Sequence, residues 1–346
     1  MAGDVKIGLI ARCERARGLA IQARNLYANI PIDRVLCIRM PRPDGYEDAA
    51  SYTNRTDARF DARNSTLEGS TVIPWLDGLD VVFTIETPYD WRVPGWCHRA
   101  GAKLVVQGNP EFVRHMRPDF ATLQHPDQWW WPTSWRTEHL PPGIHMPVPM
   151  DRHPVTRSDD GRLHILHTIG KRAFADRNGT EILVQAMRMV HSEVKLTVHS
   201  IDGDVIPFQR KRNVELVINH NPVTDLWSQY EDQDVLILPR RYGGLSLPAL
   251  EATAAGMVVA MPNCSPNTEL AAVLMPVHRS VSLKVASGTI QSWDANAALV
   301  ADTIDNLASL GRDGLQSFRD AQANLLPTWE QWRPRYMQAF EDLCES

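Results

Sequence analysis

Short apolar segments alternate with helical patterns in the first part of the chain. Residues 5–10, which are apolar except for Lys6, and residues 35–38 predict buried strands. Residues 19–30 between them place Leu and Ala on one helical face. Residues 44–70 are rich in Asp and Arg and predict a long surface loop or lid. Further along, the pattern predicts a strand, a short helix and a strand at residues 81–85, 91–100 and 104–106. This alternation is typical of a parallel sheet covered by helices.

The alternation restarts after residues 126–149. That stretch combines several tryptophans with four prolines near its end, and it predicts an extended connector. Beyond it we predict five strands and three helices, the strands at residues 163–168, 195–199, 215–218, 235–238 and 257–260 and the helices at 180–190, 225–232 and 248–255. The whole pattern predicts two doubly wound α/β units.

Length and pattern together predict three segments. A chain of 346 residues is too long for one ordinary core and fits two domains of about 150 residues each. We place one Rossmann-like domain at residues 1–152 and a second at residues 153–327. Residues 328–346 contain an amphipathic helix, predicted over 329–343, which we expect to pack back on the N-terminal domain.

Composition narrows the class of protein. With 43% hydrophobic and 22% charged residues, the chain has the balance of a globular protein rather than a disordered one. No apolar run approaches the roughly 18 residues that cross a bilayer, and the first residues lack a signal-type apolar core. Five Cys without a C-x-x-C pair predict reduced thiols and a cytoplasmic location. A net charge of −5 provides no broad electrostatic footprint for nucleic acid.

A strand-to-helix turn in the second half has the features of an anion site. Residues 238–256 read LPRRYGGLSLPALEATAAG, a buried strand, a Gly-Gly turn and a helix with Pro248 in its first turn. The helix dipole and free backbone amides predict an anion seat at Gly244, Leu245, Ser246 and Leu247. Glu251 leans back toward the helix start, so its carboxylate can reach the hydroxyls of a ribose held there. An exposed Glu251 on an ordinary helix is the alternative.

A basic loop is the second candidate. Residues 168–179 read TIGKRAFADRNG, and Gly170 permits a turn at the sheet edge where α/β proteins bind ligands. The amides of the following helix start add to a set of cations that can neutralise a diphosphate, namely Lys171, Arg172 and Arg177. Solvated loop cations are the alternative. Gly18, at the start of the first helix, is a third and weaker point of this kind.

Both segments resemble motifs of the retaining glycosyltransferases of family 4, which have the GT-B fold. ILPRRYGGLSLPALEATAAGMVVAMPN is similar to the family signature P-S-x-x-E-G-F-G-L-P-x-L-E-A-M-A-x-G-x-P-V, and ILHTIGKRAFADRNGTEIL to its V-G-R-L-x-x-x-K-G strand and loop. PTSWRTEHLPPGIHMPVPMD resembles the interdomain run that ends in V-P-V-D. The match covers the second half in order and the first half more loosely. It implies two Rossmann-like domains facing across a cleft, the first for the acceptor and the second for a nucleotide sugar.

Carried over by position, the resemblance implies roles for individual residues. Glu251 takes the place of the Glu that hydrogen-bonds the nucleotide ribose, residues 244–247 that of the turn that holds diphosphate and sugar, and Lys171 that of a diphosphate-binding Arg. In the first half, the polar residue that faces the donor sugar corresponds to Glu86, with Asp90 as a second possibility. An exposed loop acid is the alternative for both carboxylates.

The chain departs from the family pattern at two places. The loop Lys of the family has no clean match, since two extra residues are present and Arg177 or Asn178 stands in its place. The first Glu of the E-x7-E pair, which touches the donor sugar in the family, corresponds to Gly243. This second departure leaves the sugar and the catalytic competence open.

Several other sequence patterns do not indicate a functional site. The D-x-D pairs at residues 202–204 and 232–234 are as frequent as chance provides, and the His residues show no ligand spacing, so we assign no metal and no cofactor. The missing G-x-G-x-x-G turn counts against an NAD dehydrogenase. Trp91, Trp96 and residues 129–131 can stack on sugars, although Trp more often packs in a core.

The predicted function is a metal-independent retaining glycosyltransferase, a hexosyl- or pentosyltransferase. It moves a sugar from a UDP- or GDP-type donor to an acceptor hydroxyl, with Lys171 and Arg177 stabilising the diphosphate and Glu86 assisting at the acceptor. The first half resembles, more loosely, glycosyltransferases of actinobacterial phages, which implies phage DNA or a structural protein as acceptor and the host cytoplasm as location. The alternative function is a catalytically weakened nucleotide-sugar-binding protein with a scaffold or regulatory role.

Overall fold

A computed structural model of the chain describes residues 5–12, 18–39, 52–113, 119–136, 140–169, 176–200, 208, 211–220, 225–285 and 288–346. Its strands are β1 (Ile7–Arg12), β2 (Arg34–Arg39), β3 (Arg55–Asp61), β4 (Thr66–Leu67), β5 (Val81–Glu86), β6 (Lys103–Gly108), β7 (Gln128–Trp131), β8 (Gly143–His145), β9 (Leu163–Ile169), β10 (Val194–Ser200), β11 (Val214–Asn219), β12 (Val235–Ile237), β13 (Val258–Pro262), β14 (Val273–Met275), β15 (Val277–Val285) and β16 (Gly288–Ala295). Its helices are α1 (Gly18–Asn29), α2 (Gly69–Trp75), α3 (Val93–Ala100), α4 (Thr180–Met187), α5 (Leu247–Ala254), α6 (Ala297–Ser309), α7 (Gly311–Gly314), α8 (Gln316–Ala323) and α9 (Trp329–Glu345).

The first of two compact units holds Met1–Pro149 and Trp329–Ser346. Its eight-stranded sheet has the order β4-β3-β2-β1-β5-β6-β7-β8, in which only β3 and β4 pair antiparallel. Helix α9 packs on this sheet because Tyr336 and Phe340, four residues apart, are both fully buried. The Phe340 ring lies 4.9 Å from that of Trp130, and the Tyr336 hydroxyl donates to the carbonyl oxygen of Pro147 at 2.8 Å.

The second unit holds Met150–Val285 and Thr289–Thr328. Its six-stranded sheet is parallel throughout, in the order β11-β10-β9-β12-β13-β14, and β15 and β16 form a separate two-stranded sheet. β9 lies between β10 and β12 and is buried along its whole length. A parallel sheet places the ends of β9 and β12 at one edge, where their following segments meet. These two units confirm the predicted α/β class with two parallel sheets.

Two segments predicted to lie outside the first sheet belong to it. The expected loop at residues 44–70 contains β3 and β4, although its residues 44–51 lie outside the described part of the chain. Ala58 and Phe60 point into the core between charged neighbours, a period-two pattern that the density of charge obscures. The expected connector at residues 126–149 contains β7 and β8, since Trp129–Trp131 pack in the core. Both interpretations were wrong at these strands.

The helix predicted at residues 225–232 is also wrong. Only Trp227–Gln229 form a single 3-10 turn there. The Asp225 carboxylate accepts from the backbone N–H of Trp227 at 3.2 Å, and Asp232 has a φ of 60°, which a helix does not continue through. Local side-chain bonds to the backbone thus compete with helix formation at this point.

The cysteines correct a further expectation. Cys37 on β2 is disulfide-bonded, whereas Cys97, Cys264 and Cys344 are free thiols. Sequence spacing does not reveal cysteines that the topology brings together, and a disulfide is unusual in a reducing compartment. The cytoplasmic location therefore loses its support from cysteine usage. Within the described part of the chain, no helix combines the length and the apolar composition that a bilayer crossing needs.

Candidate active site

The chain turns sharply between β12 and α5, and we call residues 239–247 the corner. Gly243 has a φ of 124°, a conformation that favours glycine and would strain a Glu at this position. Ser246 has extended backbone and precedes α5, whose first turn contains Pro248. The backbone conformation at Gly243 therefore suits glycine rather than the Glu that the family has at this position of the E-x7-E pair.

The corner is held from three directions. The buried Arg240 guanidinium donates to the carbonyl oxygen of Leu245 at 2.5 Å, which fixes the loop across the turn. Asn267 donates its side-chain N–H to the carbonyl oxygen of Arg240 at 3.2 Å. The Arg241 guanidinium is paired with Asp294 of β16, at 2.5 Å. Such a rigid support is what a preorganised binding site needs.

Three backbone amides of the corner are open. Among the described residues, none accepts a hydrogen bond from the N–H of Leu245, Ser246 or Leu247. Leu247 is the first residue of α5, where the amides of a helix have no partner within the helix and the dipole is positive. The geometry at residues 245–247 can therefore stabilise an anion.

Glu251 is a buried carboxylate with one oxygen satisfied. Its side chain lies on α5, and only 3% of the residue is exposed. Oε2 accepts a hydrogen bond from the hydroxyl of the fully buried Tyr230, whereas Oε1 is buried and has no partner among the described residues. Burial raises the pKa of Glu251 to about 7, an effect that the Tyr230 hydrogen bond partly offsets. The arrangement can accept a hydrogen bond from a hydroxyl group at Oε1.

The basic loop reaches the corner through its last residues. Gly170, Lys171 and Arg172 lie outside the described residues. The carbonyl oxygen of Arg177 accepts from the backbone N–H of Arg241 at 2.8 Å, so this part of the loop lies directly against the corner. The structure thus brings the described end of the basic loop into contact with the corner.

The start of α4 does not provide the anion-binding amides that we expected. The Asp176 carboxylate accepts from the backbone N–H of Thr180 at 2.9 Å and from that of Glu181 at 2.8 Å. This side chain therefore occupies the positive end of the helix, where a phosphate would otherwise bind. The expectation of a second helix-start seat was wrong, because the sequence does not show which acidic side chain turns back onto a helix.

The first unit holds the remaining candidates. Gly18 is the exposed first residue of α1. Glu86 ends β5 with a φ of 76°, and its Oε1 lies 3.5 Å from the side-chain N–H of Asn109. Asp90 is buried, and its carboxylate accepts from the backbone N–H of Leu67 at 2.7 Å and pairs with Arg92 at 2.6 Å.

The aromatic candidates for sugar stacking are largely core residues. Trp129 and Trp131 are 3% and 2% exposed and stack on each other with ring centres 5.2 Å apart. Trp96 is also buried, under the Arg92 guanidinium. In the described ranges, no three His, Cys, Asp or Glu side chains gather as a metal site would require.

Sequence reasoning missed Tyr230 and Arg240. Tyr230 follows the short 3-10 turn and contacts a residue 21 positions away, which no local pattern reveals. Arg240 appears in the sequence as one of two adjacent basic residues after a strand, a pattern more typical of solvated side chains than of a fully buried cation. Arg240 stands where the family signature has Ser, and this difference was the one signal in the sequence that could have singled it out.

Comparison with known proteins supports the same assignment. Residues 164–286 match the family model described as Glycosyl transferases group 1. The prediction that the protein is a glycosyltransferase is therefore confirmed. A search of the curated proteins finds no significant match. Similar solved structures include a glycosyltransferase from Rickettsia africae (10% identity, TM-score 0.63, 99% of both chains). Sucrose-phosphate synthase from Thermosynechococcus elongatus (16%, 0.61, covering 98% of this chain and 99% of that one) is another.

HepE from Anabaena, solved in complex with UDP, is a third similar structure (9% identity, TM-score 0.65, covering 98% of this chain and 100% of that one). At such identities the likeness concerns the fold alone. Since these matches extend over nearly the whole chain, the two parallel-sheet units form a GT-B fold, as predicted.

Proposed function

We propose that the protein transfers a sugar from a nucleoside diphosphate sugar to an acceptor hydroxyl, with retention of configuration and without a metal ion. The donor is of the UDP or GDP type and binds to the second unit. The observation that carries this proposal is Glu251, a buried carboxylate on the helix that follows the corner. One of its oxygens and three backbone amides of the corner have no hydrogen-bond partner in the part of the chain that the structure describes. HepE, a protein of similar fold, was solved with UDP, which supports a uridine donor as the first to test.

The corner supplies the chemistry that diphosphate departure requires. As the bond to the sugar breaks, negative charge develops on the diphosphate, and amides already aimed at that charge stabilise it without reorganising. Lys171 and Arg177 would add positive charge from the basic loop, whose carbonyl at Arg177 is bonded to the corner. Glu251 would hold the ribose and so fix the distance between nucleotide and corner. Glu86 would bind a sugar hydroxyl or accept the proton of the acceptor.

Donor binding is tested with a thermal-shift panel of nucleotide sugars and their diphosphates. A ligand that binds only the folded protein stabilises it by about 2.7 kcal/mol at a concentration a hundred times its Kd, which is readily measured as a higher Tm. We expect UDP- or GDP-sugars to raise the Tm and the sugars alone to leave it unchanged. A panel in which no nucleotide raises the Tm, confirmed by calorimetry, would contradict the proposal.

The role of the basic loop is tested with Lys171→Ala. A cation that acts on the departing diphosphate contributes more to the transition state than to the bound donor, so kcat should fall by about a hundredfold while donor Kd changes by less than about fivefold. Lys211→Ala is a matched control in the same unit, because that ammonium is engaged with the carbonyl oxygens of Arg188 and Val190. Equal kcat for Lys171→Ala and the wild type would remove Lys171 from the reaction.

A second candidate function is a nucleotide-sugar-binding protein with little or no transfer. Gly243 favours it, because the carboxylate that touches the donor sugar in the resembled family is absent and the backbone there suits glycine. Release of nucleoside diphosphate from a bound donor separates the two functions. Saturable binding without release, with each acceptor class offered, would favour the binder.

We infer the acceptor from the first half of the chain. The looser resemblance of the first half to actinobacterial-phage enzymes supports phage DNA or a structural protein, and a cytoplasmic location goes with it. Transfer of radiolabelled sugar to DNA, to protein and to small glycosides, measured side by side, identifies the class.

A further inference from the structure

Tyr230 and Glu251 form a buried pair in which Tyr230 hydrogen-bonds one of the two carboxylate oxygens. Tyr230 is completely buried, and its hydroxyl donates to Oε2 of Glu251. Oε1 is equally buried but has no partner among the described residues. A buried acceptor without a partner costs free energy, so its presence in a well-packed helix calls for a functional explanation.

The phenol is itself fixed in place. Tyr230 follows the 3-10 turn Trp227–Gln229, and its backbone N–H donates to the carbonyl oxygen of Trp227 at 2.9 Å. The Trp227 ring stacks on His153 with ring centres 4.3 Å apart. A short segment held by this hydrogen bond and this ring stack leaves the phenol little freedom, so it sets the orientation of the carboxylate rather than following it.

A carboxylate with both oxygens open can bind the two neighbouring hydroxyls of a ribose, one at each oxygen. Here Oε2 is already engaged with a protein donor. From this geometry, and resting on the proposed function, we infer that Tyr230 is a positioning residue that turns Oε1 toward the nucleotide, and that Glu251 recognises a single ribose hydroxyl.

The inference is tested by calorimetry with UDP, 2′-deoxy-UDP and 3′-deoxy-UDP, and with the three matching guanosine diphosphates. For the wild type, one deoxy form should bind at least about tenfold more weakly than the parent nucleotide, because a hydrogen bond to a charged group is lost. The Kd of the other deoxy form should lie within about threefold of that of the parent. In Tyr230→Phe the carboxylate loses its fixed orientation, so the ratio between the two deoxy forms should fall to about one.

Tyr336→Phe is the matched control. That tyrosine is equally buried and its hydroxyl is bonded to Pro147 and Gln107, but it belongs to the first unit. Tyr336→Phe likewise removes a buried hydroxyl, but it should leave nucleotide affinity and the ratio between the two deoxy forms unchanged. If Tyr230 had a purely structural role, Tyr230→Phe would behave like Tyr336→Phe, with a lower Tm and an unchanged deoxy ratio.

The outcomes separate this inference from the proposed function. If the wild type binds no nucleoside diphosphate, the proposed function fails and the inference with it. If it binds them but loses affinity equally with both deoxy forms, Glu251 reads both hydroxyls and the inference alone is overturned. The same holds if Tyr230→Phe keeps the wild-type ratio. The wild-type comparison decides the matter even where Tyr230→Phe does not fold.

Discussion

Replacing Glu251 with Gln is expected to weaken the binding of nucleoside diphosphates by about tenfold to a hundredfold and, at pH 8, to raise the Tm. The first effect follows from the loss of a charged acceptor at Oε1, since a hydrogen bond to a charged group contributes about 1.5–3 kcal/mol. The second follows from the burial of the same carboxylate, which is 3% exposed and has one oxygen without a partner among the described residues.

The sign of the stability effect follows from the pKa. Burial raises the pKa of Glu251 from 4.5 to about 7, so the folded protein holds a proton that the unfolded chain releases between these values. The resulting contribution to stability is fully present below pH 4.5 and is lost as the pH rises through about 7. Above that pH the ionised group lowers the free energy of unfolding by about 3 kcal/mol, and the neutral Gln removes this cost.

Thermal unfolding of both proteins at pH 4, 6 and 8 measures the effect. The Tm difference between Glu251→Gln and the wild type should be small at pH 4 and largest at pH 8. Asp234→Asn is a control of opposite sign, because this fully buried carboxylate is paired with Arg319 at 3.0 Å and Arg312 at 3.6 Å. Its replacement leaves two partly buried guanidinium groups with less charge compensation and should lower the Tm.

Opposite effects on stability and on binding would distinguish Glu251 from a residue that merely supports the fold. A structural carboxylate stabilises the protein where it is ionised, whereas a binding carboxylate is tolerated at a cost in stability. If Glu251→Gln lowered the Tm at pH 8 and left nucleotide binding unchanged, Glu251 would be a structural residue and the proposed site would lose its centre.

The second unit could be predicted closely where strands are buried on both faces. The apolar run at residues 163–168 became β9 (Leu163–Ile169), and the turn signals around Pro248 located α5 within one residue of its start. The same reasoning failed at β3, where Ala58 and Phe60 alternate with charged residues on a strand beside the sheet edge. A strand with one polar face carries too few apolar residues to be recognised against a charged background.

Some features of the candidate site could likewise be predicted from the sequence, and others could not. The open amides of the corner could be predicted, because a Gly-Gly turn before a helix with Pro in its first turn determines them locally. The capping of α4 by Asp176 and the bond between Tyr230 and Glu251 could not, since both depend on side chains placed by the tertiary fold. The unpartnered amides could therefore be predicted from local sequence, whereas the contacts that support them depend on the tertiary fold.

Gly179→Ala is expected to lower the free energy of unfolding by about 3 kcal/mol more than an ordinary glycine replacement, and to weaken nucleotide binding with it. Gly179 precedes α4 with a φ of 71°, and a Cβ placed there would lie 2.0 Å from the carbonyl oxygen of Pro239. That oxygen belongs to the backbone of the corner, so the clash is relieved only by moving the corner or the loop. Either movement breaks the bond between the N–H of Arg241 and the carbonyl oxygen of Arg177.

Gly161→Ala separates the clash from backbone strain. Gly161 has a similar φ of 79°, and a Cβ there would meet no atom within 4 Å, so this variant should cost only the roughly 1–2 kcal/mol of the left-handed conformation. The comparison uses urea unfolding for stability and calorimetry for nucleotide affinity. Loss of affinity in Gly179→Ala but not in Gly161→Ala would mean that the loop and the corner act as one site. Equal affinities in the two variants would mean that the corner binds the nucleotide without support from the loop.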